Sequence, residues 1–138
     1  MIRFAVYGEP QGKARPRFNT KTRTAYTPSK TAEYEKEVAM AYRIVSKSRR
    51  FDGAVALDIN AYFAIPKSTS KKRVEQILKQ DIRPTKKPDI DNIAKIIIDG
   101  LNGIAYEDDK QVVSVSIDKY YSSEPRVEVE IMEVKQWN

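Results

Sequence analysis

Val55-Ala56-Leu57-Asp58-Ile59-Asn60-Ala61-Tyr62-Phe63-Ala64-Ile65 decides how this chain is read. Val55, Leu57, Ile59, Ala61, Phe63 and Ile65 recur at every second position across eleven residues, the period of a strand with one buried face. The other face, Ala56, Asp58, Asn60, Tyr62 and Ala64, is only partly polar.

Toward the N-terminus, Arg49 to Gly53 form a turn. Before it, Tyr34, Val38, Ala41, Tyr42 and Val45 repeat at helical spacing, opened by Thr27-Pro28 and running to about Ser46. Ile2, Phe4 and Val6 alternate with Arg3, Ala5 and Tyr7 in a first strand that ends at Gly8, and a basic loop, about 8–26, links it to the helix. Toward the C-terminus, Ser68-Thr69-Ser70 caps a short helix with Val74, Ile77 and Leu78 on its apolar side. A proline-bounded loop, Asp81 to Pro88, precedes a helix from Asn92 to Leu101, built on Ile93, Ile96, Ile97 and Leu101 and ended by Gly100 and Gly103. Two strands follow, Gln111 to Tyr121 and Arg126 to Val134, joined by a turn at Ser122-Ser123-Glu124-Pro125. The order β-α-β-α-α-β-β predicts an α+β fold with a small mixed sheet and about three helices.

At 138 residues the chain suits one compact domain, residues 1–138, and is short for two. It has no apolar run of about eighteen residues and no signal-type apolar core, so a cytoplasmic location without membrane insertion is expected. With no Cys and no His, thiolate nucleophiles, Ser/His/Asp triads, imidazole acid–base work and Cys/His zinc sites are excluded. Clustered Asp without a soft ligand favours a hard cation, Mg²⁺ or Mn²⁺.

The net charge of +6 is localised. Residues 1–30 hold Arg3, Lys13, Arg15, Arg17, Lys21, Arg23 and Lys30 against Glu9 alone, and the remainder is balanced at 18 basic and 18 acidic residues. A basic segment containing Gly12, Pro10 and Pro16, with Phe18 and Tyr26 interspersed, suits a loop that tracks phosphates and offers rings for stacking. Lys13, Arg15 and Arg17 are the candidate nucleic-acid contacts, and Phe18 the candidate stacking ring. Lys86-Lys87 and Lys71-Lys72-Arg73 extend the positive surface or are merely solvated.

Acidic residues concentrate elsewhere. Pro88-Asp89-Ile90-Asp91-Asn92 is followed by Lys95 and, after one apolar segment, by Asp108-Asp109. At about 100° per residue, Asp91, Lys95 and Asp99 share a helix sector opposite the isoleucines, with Ile98 at its edge and expected to be buried against a neighbouring element or a second subunit. Asp89 and Asp91 can converge at the helix N-terminus. Each feature has a plainer reading: Asp is favoured at helix caps, and Glu107-Asp108-Asp109-Lys110 reads as a solvated turn. A D-x-D tripeptide also occurs in metal-dependent transferases, although no Gly-rich phosphate cradle accompanies it here.

Pro88-Asp89-Ile90-Asp91-Asn92-x-x-Lys95, Asp99-Gly100-Leu101-Asn102 and Asp108-Asp109-x-Gln111-Val112, together with Gly8-x-Pro10-x-x-Lys13-x-Arg15-Pro16-Arg17-Phe18, resemble the RusA family of Holliday junction resolvases, found in bacteria and prophages. The resemblance implies a homodimeric, Mg²⁺-dependent endonuclease that nicks four-way DNA junctions symmetrically in recombination and repair. By position it implies Asp89 and Asp91 as metal ligands, Lys95 as the essential lysine, and one of Asp108 and Asp109 as the third acid. Asp109 is favoured and Asp108 kept open. The competing expectation is a non-catalytic basic DNA-binding module whose aspartates only cap a helix.

Overall fold

The computed structural model describes residues 1–79 and 81–135. Its elements run β1 (Ile2–Tyr7), β2 (Arg17–Asn19), β3 (Thr24–Tyr26), α1 (Ser29–Ser46), β4 (Val55–Ala64), α2 (Lys71–Leu78), α3 (Ile90–Leu101), a 3₁₀ turn (Asp109–Gln111), β5 (Val112–Ser122) and β6 (Arg126–Glu133). This is the expected α+β order, with one addition: the basic segment is no plain loop but folds its second half into the antiparallel hairpin β2–β3.

The main sheet has the order β1-β6-β4-β5. β6 pairs antiparallel with both β1 and β4, whereas β5 runs parallel to β4. The turn between β5 and β6 therefore does not join hydrogen-bonded neighbours, because β4 lies between them. The alternation of β4 is literal: Val55, Leu57, Ile59, Ala61 and Phe63 are all buried. They meet Val38 and Tyr42 of α1 and Ile93, Ile96, Ile97 and Leu101 of α3 in one core. The two helices approach closely at Gly100, where a Cβ would stand 3.0 Å from Val38. Ile98, expected at a buried edge, is partly buried against this core.

Helix α1 starts one residue later than a proline in the first helical position would give, since Pro28 is the cap itself. Ser70 caps α2, accepting a hydrogen bond from the Arg73 N–H. Leu78, expected on the packed side of α2, is 62% exposed, while Ile77 is buried. Among the described residues no helix is long and apolar enough to cross a membrane.

A parallel β4–β5 pair requires the chain to return to the start of the sheet before β5 begins. Helix α3 makes that return. Its N-terminus consequently stands at the carboxyl ends of β4 and β5, and its C-terminus at their beginnings, an arrangement that commonly puts a ligand site beside the helix N-terminus.

Candidate active site

Asp89 is the cap residue of α3, with φ −70° and ψ 156°, the extended backbone a cap requires. Its side chain makes no cap hydrogen bond. Asp91 follows in the first helical turn, and both residues are exposed. Attraction to the positive helix end suffices for Asp91; it does not explain an aspartate in cap position whose carboxylate is left uncommitted.

The first half of the basic segment forms one wall of this end. Its path is pinned by Gly8 N–H to the Pro125 carbonyl, by the Ala64 N–H to the Glu9 carboxylate, and by Lys13 N–H to the Asn92 carbonyl at 2.9 Å. Gly12 touches the motif so closely that a Cβ there would lie 2.7 Å from the Pro88 Cβ and 3.1 Å from that of Asn92. Gly12, Lys13, Lys87, Pro88, Asp89 and Asn92 line a cleft of about 270 Å³.

Lys13 is a correction to the sequence expectation. Its ammonium does not stand on the surface for phosphate but lies 3.1 Å from Glu35 and 3.2 Å from Asp99, with the side chain only 16% exposed. Burial alone would lower its pKa; the hydrogen bonds and charges of Glu35 and Asp99 outweigh that and raise it above the ordinary lysine value. Lys95 reaches the same Asp99 at 3.3 Å while staying largely exposed. One carboxylate thus orients two lysines, one structural and one open to solvent.

Lys119 is the residue that reading the sequence missed. It pairs with Ala61 in the β4–β5 register and so occupies a helix-facing position between Ile117 and Tyr121, both packed on the core. A charge on that face breaks the strand's own pattern, which is where functional sites are expected. The signal is the period-two violation, and it becomes legible only once the register is known. The Lys119 ammonium donates to the Lys86 carbonyl at 2.5 Å and lies 5.0 Å from the centre of the Phe63 ring, with the Lys86 ammonium 5.8 Å from the same ring. Partial burial lowers its pKa, the negative charge of Asp89 opposing that shift and Lys86 reinforcing it. Arg83 ties the same loop to the strand edge through the Lys119 carbonyl and the Asp118 carboxylate. Tyr120 stacks on Tyr62 and is covered by Arg83, and Tyr106 is fully buried, so these rings serve packing.

The acidic pair lies at the other end of the sheet. Asp108 caps the 3₁₀ turn, accepting from the Lys110 N–H at 2.9 Å, and that bond is the first cause holding its carboxyl below the usual range. Gln111 fastens the turn to the carbonyls of Phe51 and Gly53, just ahead of β4. Asp109 takes no part in this capping, and its charge, with that of Asp99, acts on Tyr106, whose hydroxyl caps the Ile98 carbonyl near the end of α3. Seven residue steps of strand separate Val112 from Lys119, about 23 Å at the usual rise. Within one chain the structure keeps Asp89 and Asp91 together and Asp108 and Asp109 away from them. Among the described residues, no three acidic side chains are gathered to hold a metal ion.

Arg15, Arg17 and Phe18 are exposed on and beside the β2–β3 hairpin, Phe18 at 60% and its neighbour Tyr26 at 46%. Lys86 and Lys87 are exposed next to the motif. The site therefore combines two free carboxylates, a lysine rim and a projecting basic, aromatic arm, a set suited to a phosphodiester backbone.

Whole-chain similarity agrees. The uncharacterized protein YqaN of Bacillus subtilis (strain 168) is 41% identical over 137 residues, covering 96% of each chain. The model of the family described as endodeoxyribonuclease RusA matches residues 7–132, spanning the wall at Gly12, the motif at Asp89 and the acidic turn, and the chain belongs to that family.

Proposed function

We propose that the protein is a Mg²⁺-dependent, structure-selective endodeoxyribonuclease that resolves four-way DNA junctions by paired symmetric nicks, acting as a homodimer in cytoplasmic DNA recombination and repair. The observation that carries this reading is the carboxylate of Asp89, in cap geometry without a cap bond, beside Asp91 and within a rim of lysines. The donor set fits the ion, since Mg²⁺ is usually held by one or two carboxylates with waters and substrate phosphate filling the remaining positions. Mn²⁺ is expected to substitute. Bound between Asp89 and Asp91, the cation would neutralise phosphate charge and acidify a water.

The chain's own groups do the rest. Lys95, one turn beyond Asp91 and steadied by Asp99, contacts the scissile phosphate and offsets the charge that grows on it. Arg15, Arg17, Lys86 and Lys87 hold the backbone, and Phe18 stacks at the branch. Asp109 is favoured over Asp108 as the third acid, because the Asp108 carboxylate is already occupied by the Lys110 N–H.

The test is cleavage of a labelled four-way junction and a linear duplex, each with Mg²⁺ and with chelator. Paired nicks in the junction alone, and only with the metal, are expected. Asp91→Asn should lower cleavage by orders of magnitude while junction binding persists. Binding without metal-dependent nicking would favour the basic module whose aspartates only cap α3.

A further inference from the structure

We propose that Lys119 is the positioning residue of the Asp89–Asp91 end: by gripping the Lys86 carbonyl, its ammonium holds the Asp89 carboxylate where a metal ion can take it. The inference rests on the endonuclease reading and adds to it a residue from outside the aspartate motif.

The segment from Ile82 to Pro88 leads into Asp89 and has little of its own to hold it. Arg83, Thr85, Lys86 and Lys87 are exposed, and only Pro84 of the segment is buried. Among the described residues, hydrogen bonds tie this segment to the rest of the chain at two places, Arg83 and Lys86, and both ties end on Asp118 and Lys119. Lys119 serves each of them. Its carbonyl accepts from the Arg83 guanidinium at 2.8 Å, and its ammonium donates to the Lys86 carbonyl at 2.5 Å. One residue at the carboxyl end of β5 thus anchors the loop by backbone and side chain together.

Asp89 depends on that anchor because nothing else fixes its side chain. The carboxylate makes no cap bond, so it stands where the backbone puts it, three residues after Lys86. On the opposite side Gly12 lies against Pro88. The loop is held between a wall and an anchor, and Asp89 is the next residue along.

The chemistry of the side chain favours an anchor over a solvated charge. A lysine ordinarily uses its long stem to carry the ammonium out into water. Lys119 instead keeps its ammonium 5.0 Å from the centre of the Phe63 ring, on the helix-facing side of the sheet. An ammonium partly withdrawn from water needs replacements for that water, and the Lys86 carbonyl and the ring supply them. An apolar residue would fill the same place without donating a bond. What the lysine adds is the tie to the loop.

The experiment compares full-length Lys119→Met and Lys119→Arg with the wild type. Met keeps a stem that packs on Phe63 and loses the donor, whereas Arg keeps donor and charge. The first readout needs no metal: hydrogen exchange of the Ile93 amide, which closes the first turn of α3 on the Asp89 carbonyl. Lys119→Met should exchange there about tenfold faster, the loss expected for a bond from a charged donor. The second is single-turnover nicking of a four-way junction across a range of Mg²⁺ concentrations. The half-saturating concentration should rise about tenfold in Lys119→Met, junction binding in chelator should be kept, and Lys119→Arg should recover most of both losses. Wild-type exchange at Ile93 in Lys119→Met would overturn the proposal. A lower half-saturating Mg²⁺ concentration would overturn it as well, since it would make Lys119 a charge that repels the ion. So would faster exchange spread evenly over the whole sheet, the mark of an ordinary packing residue. A wild-type protein that never nicks sinks the endonuclease reading instead, while the exchange measurement still judges the anchor.

Discussion

At the residue scale the site depends on small, local facts. The missing side chain of Gly12 lets the N-terminal segment lie on Pro88 and Asn92. Gly12→Ala should cost about 1–3 kcal/mol through overpacking, and a shift near 1 Å in Asp89 should cost about 100-fold in nicking. Thermal melting together with single-turnover cleavage checks both; unchanged cleavage would mean that the wall does not seat the motif. Lys13 and Lys119 carry the complementary lesson. Lys13 looked like a phosphate contact because its neighbours in sequence are basic, but its neighbours in space are Glu35 and Asp99. Lys119 carries no signal in the sequence, and only in register does it face inward beside Asp89.

At the element scale the basic segment divides in two. Residues before Arg17 are pinned as a wall, and β2–β3 projects as an arm with Phe18 and Tyr26 exposed. If the arm tracks DNA, Arg15→Ala and Arg17→Ala should weaken junction binding uniformly across sequences. Each should also reduce the slope of log affinity against log salt by about 0.9, with the melting temperature unmoved. Salt-dependent binding titrations decide it. Alternation and helical period suffice to find β1, β4, β6, α1 and α3, because each has one buried face. They could not find β2 and β3, whose residues are all exposed and leave no periodic trace. Nor could they show that β5 pairs with β4 and not with β6, since a short turn says nothing of which strand lies between.

At the scale of the whole molecule, stability is tied to buried tyrosines. Burial raises the pKa of Tyr34, with Glu37 adding to it, and raises that of Tyr106, with Asp109 and Asp99 adding to it. An unfolded tyrosine ionises near pH 10, so above that value the unfolded chain releases protons that the folded chain keeps. Their contribution is fully present below about pH 10 and declines as the pH rises further. Urea midpoints that fall through that range, after a flat stretch from neutral pH, are the expected result. By itself the sequence determined the α+β class, the order of the main elements and the family motif Pro88-Asp89-Ile90-Asp91-Asn92-x-x-Lys95. Those properties reside in composition and in contacts a few residues apart. Only the tertiary structure decided that Asp89 is free of capping, that Lys13 is internal, that Lys119 lies beside Asp89, and that Asp109 stands at the opposite end of the sheet. These depend on strand register and on the direction of α3, which are set by which surfaces bury one another across the whole chain.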